Sequence, residues 1–313
     1  MQLLNYFASL SPQTLLRLLP GNIAQGLIWG LLALGVFITY KILDFADLTV
    51  DGSFATGGAV CVMLMIAGVP AWAAVLLAAA AGGLTGLVTG LLHTKLGIPG
   101  ILASILTQIA LYSVNLHIIG KANQSISVDR VSLLLSSRHN GSAILVGAIF
   151  CAVVIMLLYW YFGTEQGCAI RATGSCPTMA SAQGININTM KLIALVLGNA
   201  LVALSGALNA QYQGFCDVSM GRGAIVIGLA AVIIGEVLFK ALLKKNNFAV
   251  RMAFTVIGSV LYYVFIGFAL WLKMPTNDMK LITAVIVAIF LAVPYLQEKK
   301  RSSFARAAKK GGK

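Results

Sequence analysis

Runs of roughly twenty predominantly apolar residues follow one another along almost the whole chain, each long enough to cross about 30 Å of hydrocarbon as a helix. In lipid every backbone N–H and C=O must be paired within the protein, so only helices or a closed barrel can span. A barrel would need shorter segments alternating apolar and polar, and these are absent. Only 10% of residues are charged, against about a quarter in soluble domains. The expected fold class is therefore all-α, a polytopic helical membrane protein of about eight or nine transmembrane helices.

The spans fall near 22–40, 50–67, 70–92, 99–118, 142–162, 190–212, 222–241, 249–271 and 279–297. The polar start of 50–67 allows a broken or half-length helix, which leaves the count open between eight and nine. Residues 1–20 read as an amphipathic segment lying at the interface and broken by Pro20-Gly21. They lack the basic start and small-residue cleavage site of a signal peptide. Residues 21–297 form the transmembrane domain, with a polar segment at 163–189, and 298–313 form a basic tail.

The net charge is +13, and its placement matters more than its size. Seven of the 22 basic residues lie in "EKKRSSFARAAKKGGK", and Lys240, Lys244, Lys245 and Arg251 flank "ALLKKNNFAV". Such clusters mark cytoplasmic loops, a reading preferred here to nucleic-acid binding. With both inside, counting back puts 163–189 and 93–98 inside and 272–278, 213–221 and 119–141 outside. The C-terminus is then cytoplasmic.

No Walker A pattern, HExxH or nucleophile elbow is present, and His93, His117 and His139 are too scattered for a metal site. Five cysteines show neither metal-ligand spacing nor a disulfide framework. No catalytic residue, metal or bound cofactor is expected. "GGLTGLVTG" and "GLIWG" set Gly82, Gly86 and Gly90, and Gly26 and Gly30, on helix faces suited to close packing within one subunit.

"ILDFADLTVDGSF" places Asp44, Asp47 and Asp51 together, a third of the nine acidic residues. Carboxylates at membrane depth are costly and point to function by default. One reading makes them caps, with Asp47 or Thr49 at a helix start, favoured by the helix dipole and Lys41. Others put Asp51 and Ser53 in contact with a solute, or this stretch against elements that face a partner. Ser104, Gln108, Tyr112 and Asn115 form one stripe of a helix, while Asn199 stands alone and Ser205, Asn209 and Gln213 recur at four-residue spacing. These are candidates either for a mildly polar conduit or for hydrogen bonds between helices. Glu236, inside a span, has Lys240 one turn later for an ion pair.

"GTEQGCAIRATGSCPTMASAQGININTMK" reads as two short helices. The second has Ser175 or Cys176 near the N-cap, Pro177 in its first turn and Gly184 as its stop. It is nearly uncharged, as suits a helix that docks into a groove; the alternative is a helix resting on the membrane.

"RATGSCPTMASAQGININTMKLIALVLGNALVALSGALNAQYQGF" resembles the coupling region and following span of permease subunits in ABC importers of the branched-chain amino acid type. "ILDFADLTVDGSFATGGAV", "TKLGIPGILASILTQIALYSVNLHIIGKAN" and "GLAAVIIGEVLF" resemble the single-permease branch linked to tryptophan and tyrosine uptake. The resemblance runs from about residue 20 to 297. It implies a homodimer in a bacterial cytoplasmic membrane, working with two copies of a cytosolic ATPase that holds ATP and Mg, and with an extracytoplasmic solute-binding protein. The segment Glu165–Gly184 would engage the ATPase, with Glu165, Arg171, Pro177, Met179, Ala180 and Gly184 as its coupling residues. The expected function is the membrane path of an ATP-driven importer for an amino acid or related solute. The alternative is an ion-coupled secondary transporter, which would need Asp51 or Glu236 as its coupling carboxylate.

Overall fold

The structure is a computed structural model describing residues 12–126, 133–137, 140–242 and 247–271, with six single positions between 281 and 292. The long helices are α1 (Pro12–Val36), α2 (Thr49–Ile66), α3 (Ala71–Thr94), α4 (Gly100–Ile119), α5 (Asn140–Phe162), α8 (Ile187–Gln213), α9 (Ala224–Leu242) and α10 (Phe248–Trp271). Two short helices, α6 (Glu165–Ser175) and α7 (Pro177–Ala182), precede α8, and two short strands, β1 (Asn123–Ser125) and β2 (Phe215–Asp217), pair antiparallel. Seven of these helices, all the long ones but α9, are long and apolar enough to cross a bilayer. The expected span 279–297 and the tail fall largely outside the described residues.

Helix α8 is the hub, packed against α1, α2 and α3, while α10 packs on α1 and α9. Glycine makes these approaches close. A Cβ at Gly82 or Gly86 of α3 would collide with the α8 carbonyls of Asn199 or Leu195, and one at Gly26 or Gly30 of α1 would meet Val260 or Val256 of α10. Close backbone approach is how helices associate where lipid removes the hydrophobic drive. The small-residue faces are therefore used within the subunit. Helices α4 and α5 are peripheral: only 28% of each apolar window is buried, against 78% for α1.

The two ends of the bundle are distinct. At the basic end, Lys191 Nζ lies 3.3 Å from His93 Nε2, and Lys41 lies 3.8 Å from Glu236. At the opposite end β1 meets β2, and the Tyr212 hydroxyl donates to Asn140 Oδ1 at 3.3 Å. This grouping matches the expected one, with 93–98 and 163–189 together and 119–141 opposite.

Three local features depart from expectation. Helix α1 runs through Pro20-Gly21 without a break, because Pro20 costs one helical hydrogen bond while the flanking apolar turns keep their packing. It continues as a π-helical turn, Phe37–Ile42, in which Leu43 N donates to Ile38 O at 3.0 Å. The 50–67 segment is a helix of 18 residues, and the irregular backbone lies just before it, at 43–48. Finally, the 213–221 segment is no simple external loop. Met220 packs on Gly58 and Gly221 against the Asp51 carbonyl, so the chain turns back into the bundle along α2 before α9 begins. Irregular backbone at such depth is tolerated where protein surrounds it or a cavity opens beside it.

Candidate translocation path and coupling site

Two aspartates hold the two irregular stretches, in different ways. Asp47, 2% exposed, accepts the Thr49 N–H on Oδ1 at 2.9 Å, which fixes the start of α2 as a cap should. Its Oδ2 accepts from Asn199 Nδ2 of α8 at 2.6 Å. Asn199 Oδ1 accepts in turn from Ser53 at 2.6 Å, and Ser53 Oγ lies 2.6 Å from Thr85 Oγ1. Thr49 and Thr89 pair at 2.8 Å, joining α2 to α3 again. All these side chains are buried. Ser53 and Asn199, expected as path candidates, thus belong to a closed network that ties α2, α3 and α8 together. Asn209, also buried, accepts from Gln213 at 3.3 Å within α8, and Ser205 donates to the Ile28 carbonyl at 2.7 Å.

Asp51 acts at a distance. It lies in the first turn of α2, yet its oxygens accept the N–H groups of Gly223 and Ile225, each at 2.9 Å. It caps α9 rather than its own helix, and no local spacing in the sequence announces this. Around it opens a cavity of about 360 Å³, lined by Asp51, Gln108, Tyr112, Asn115 and Arg222 together with Gly52, Ala55, Ile109, Ser113 and Val218. Three members of the expected stripe thus face one space. Ser104 does not join them: it is buried and donates to the Ile101 carbonyl at 2.9 Å. Arg222, which the sequence reading did not single out, sits with its guanidinium carbon 5.9 Å from the centre of the Tyr112 ring.

At the basic end, Glu236 meets three cations. Arg251 Nη2 donates to both carboxylate oxygens, at 2.9 and 3.1 Å, whereas Lys240 and Lys41 stand at 3.7 and 3.8 Å. The expected Lys240 pair is present, but the shortest contact comes from α10. Lys41 serves Glu236 rather than Asp44, which is exposed and held at φ 57°, a left-handed conformation that aspartate tolerates better than most residues.

The coupling segment folds as two capped helices. Thr164 Oγ1 accepts from Gly167 N at 3.4 Å to open α6, Pro177 takes the first position of α7, and Gly184 at φ +80° follows it. Helix α6 is fastened to the body. Ile170 is fully buried, Gly174 packs on the Ile42 carbonyl and Leu43, and the Arg171 guanidinium lies 5.3 Å from the Phe248 ring. Its outer face leaves Glu165 exposed. Helix α7 projects: Pro177, Thr178 and Met179 are exposed, with Met179 at 65%. Ala180 is the exception, 3% exposed and turned inward, so it shapes the hook and leaves contact with a partner to its neighbours. Cys176, exposed at the hinge, has its thiol pKa lowered by the Thr178 hydroxyl and the Met179 backbone N–H. Among the described residues no group of three or more His, Cys, Asp or Glu is placed to hold a metal.

Residues 20–293 match the family described as branched-chain amino acid transport system / permease component. The tyrosine transport system permease protein of Clostridioides difficile (strain R20291) is 39% identical over 290 residues, covering 91% of this chain and 94% of that protein. The D-allose transport system permease protein AlsC of Escherichia coli (strain K12) is 27% identical over 263 residues, covering 81% of this chain and 78% of its own. Among solved structures, PsaBC from Streptococcus pneumoniae in complex with Fab aligns at a TM-score of 0.51 and 14% identity, over 92% of this chain and 95% of that one, a likeness of fold alone. These matches do not favour the ion-coupled secondary transporter. The chain belongs to the branched-chain amino acid transport system permease component family and is a multi-pass membrane permease subunit of an ABC-type transport system.

Proposed function

We propose that two copies of this chain form the path of an ATP-driven amino acid importer in a bacterial cytoplasmic membrane. A cytosolic ATPase would grip the α6–α7 hook on each copy, and an external solute-binding protein would deliver cargo to the opposite end. ATP and Mg belong to the ATPase. The relative named for tyrosine transport supports the cargo class. The basic residues at the hook end support its cytoplasmic placement.

The observation that carries this reading is the contact of Gly174 with Ile42 and Leu43. Through it a displaced hook presses on the end of the π-turn. From there residues 43–48 lead to Asp47, which is bonded to Thr49 and Asn199, and α2 leads on to Asp51 and the start of α9. A push at the hook thus reaches both irregular stretches and the cavity between α2 and α4. This gives alternating access a mechanical route, with Asp51, Gln108, Tyr112 and Asn115 facing the solute and Ser53, Asn199 and Asn209 holding the helices in register.

The test is uptake into proteoliposomes holding this chain, its ATPase and its binding protein. Uptake should continue when ion gradients are collapsed and ATP is kept high, and should stop without ATP. Uptake driven by an ion gradient alone would overturn the reading.

A further inference from the structure

The cavity beside Asp51 holds two opposite charges that do not pair. Asp51 and Arg222 both line it, but among the described residues Arg222 forms no ion pair and rests over the Tyr112 ring. The Asp51 carboxylate is held rigidly, one backbone N–H on each oxygen, and each oxygen keeps a free lone pair. A third polar group is incomplete: Asn115 Oδ1 is buried and has no hydrogen-bond partner, while its Nδ2 donates to the Gly52 carbonyl at 3.5 Å. A buried acceptor left unpaired costs about 1–3 kcal/mol, so the site is short of one donor. Ala55, Ile109 and Val218 supply apolar wall, and about 360 Å³ lies within the size range of small-molecule pockets.

We propose that this cavity binds the zwitterion of a free α-amino acid, with Asp51 and Asn115 receiving the ammonium, Arg222 the carboxylate and Tyr112 the side chain. A plain anion would face Asp51 without compensation, a plain cation would face Arg222, and a neutral sugar would use neither charge. Only a ligand carrying both charges on one carbon satisfies the set. The inference rests on the permease reading above and adds selection within the membrane to selection by the external binding protein.

The test uses the full chain in phosphatidylcholine nanodiscs, without its partners, and measures binding of L-tyrosine, tyramine and 3-(4-hydroxyphenyl)propanoate. The last two lack the carboxylate and the ammonium respectively. L-tyrosine should bind at least about tenfold more tightly than either, one tenfold step being about 1.4 kcal/mol. Arg222→Gln should bring L-tyrosine down to the level of tyramine and leave tyramine unchanged. Arg222 is exposed, and an unchanged melting temperature would show that the variant folds. Equal binding of the three compounds, no binding of L-tyrosine, or an Arg222→Gln protein that still prefers L-tyrosine would each overturn the proposal. ATP-driven amino acid uptake in the full complex, alongside any of these results, would refute this site and leave the transport reading standing. Loss of all such uptake with intact L-tyrosine binding would do the reverse.

Discussion

Asp51 Oδ2 accepts the Gly223 N–H at 2.9 Å, across 172 positions of sequence. One carboxylate near the start of α2 therefore decides where α9 begins. Replacing a capping side chain by alanine costs about 0.5–2 kcal/mol. Asp51→Ala should lower the melting temperature of the purified protein, and Asp51→Asn, which keeps one acceptor oxygen, should lower it less. Equal losses for the two would mean that the cap contributes nothing.

The Asp47–Asn199 bond at 2.6 Å should behave as a coupled unit. Asn199→Ala strips a donor from a buried carboxylate, at a cost of about 1–3 kcal/mol. Asp47→Asn removes the charge but leaves an acceptor. Residues in one hydrogen-bond network show interaction energies of about 0.5–3 kcal/mol, so a double-mutant cycle should give a non-zero coupling. Strict additivity would place the two side chains in separate environments.

Around Glu236, the geometry ranks the three cations. Arg251→Gln should destabilise the protein more than Lys240→Gln, since the first breaks a two-oxygen contact in a half-buried site and the second an exposed pair worth at most about 1 kcal/mol. Thermal unfolding of the two variants gives the order directly, and the reverse order would contradict the contact distances.

At the hook, Met179 and Ala180 should part company. Met179→Glu changes an exposed side chain and should leave stability within about 0.5 kcal/mol while abolishing association with the ATPase. Ala180→Glu places a charge where the structure is buried, and should reduce stability as well as association. Co-purification with the ATPase and the melting temperature together separate the two. Association that survives Met179→Glu would move the coupling surface elsewhere.

Thiol labelling tests which side the hook faces. Cys168 and Cys176 are exposed, while Cys61, Cys151 and Cys216 are buried. A membrane-impermeant maleimide should therefore modify two cysteines per chain in inside-out vesicles and none in right-side-out vesicles. Because its pKa is lowered, Cys176 carries more thiolate at neutral pH than an ordinary exposed thiol, and its labelling should persist to lower pH. Bound ATPase should protect it.

The helical architecture was legible in the sequence because bilayer thickness fixes the length of an apolar run. The hook was legible because Pro177 and Gly184 are local signals with local causes. The cavity was half legible: Gln108, Tyr112 and Asn115 share a helical stripe, a periodicity that needs no partner to be seen. What escaped depends on contacts between distant segments. Asp51 bonds to Gly223, Arg251 outdoes Lys240 at Glu236, and Arg222 arrives beside Tyr112 only because 215–223 folds back into the bundle. Ser104 shows the converse error, since a stripe fixes the direction of a side chain but not what lies opposite it.

The turn from Phe37 to Ile42 carries more residues per revolution than the helix it extends. Deleting a single residue there would let ordinary helix run straight through. Everything downstream would swing by roughly 100°, the angle between neighbouring residues on a helix of 3.6 residues per turn. Lys41 would swing away from Glu236, and Ile42 would no longer meet Gly174. The shortest possible deletion at this spot would thus unhitch the cytoplasmic lever from the pore while leaving every other segment its own length and composition.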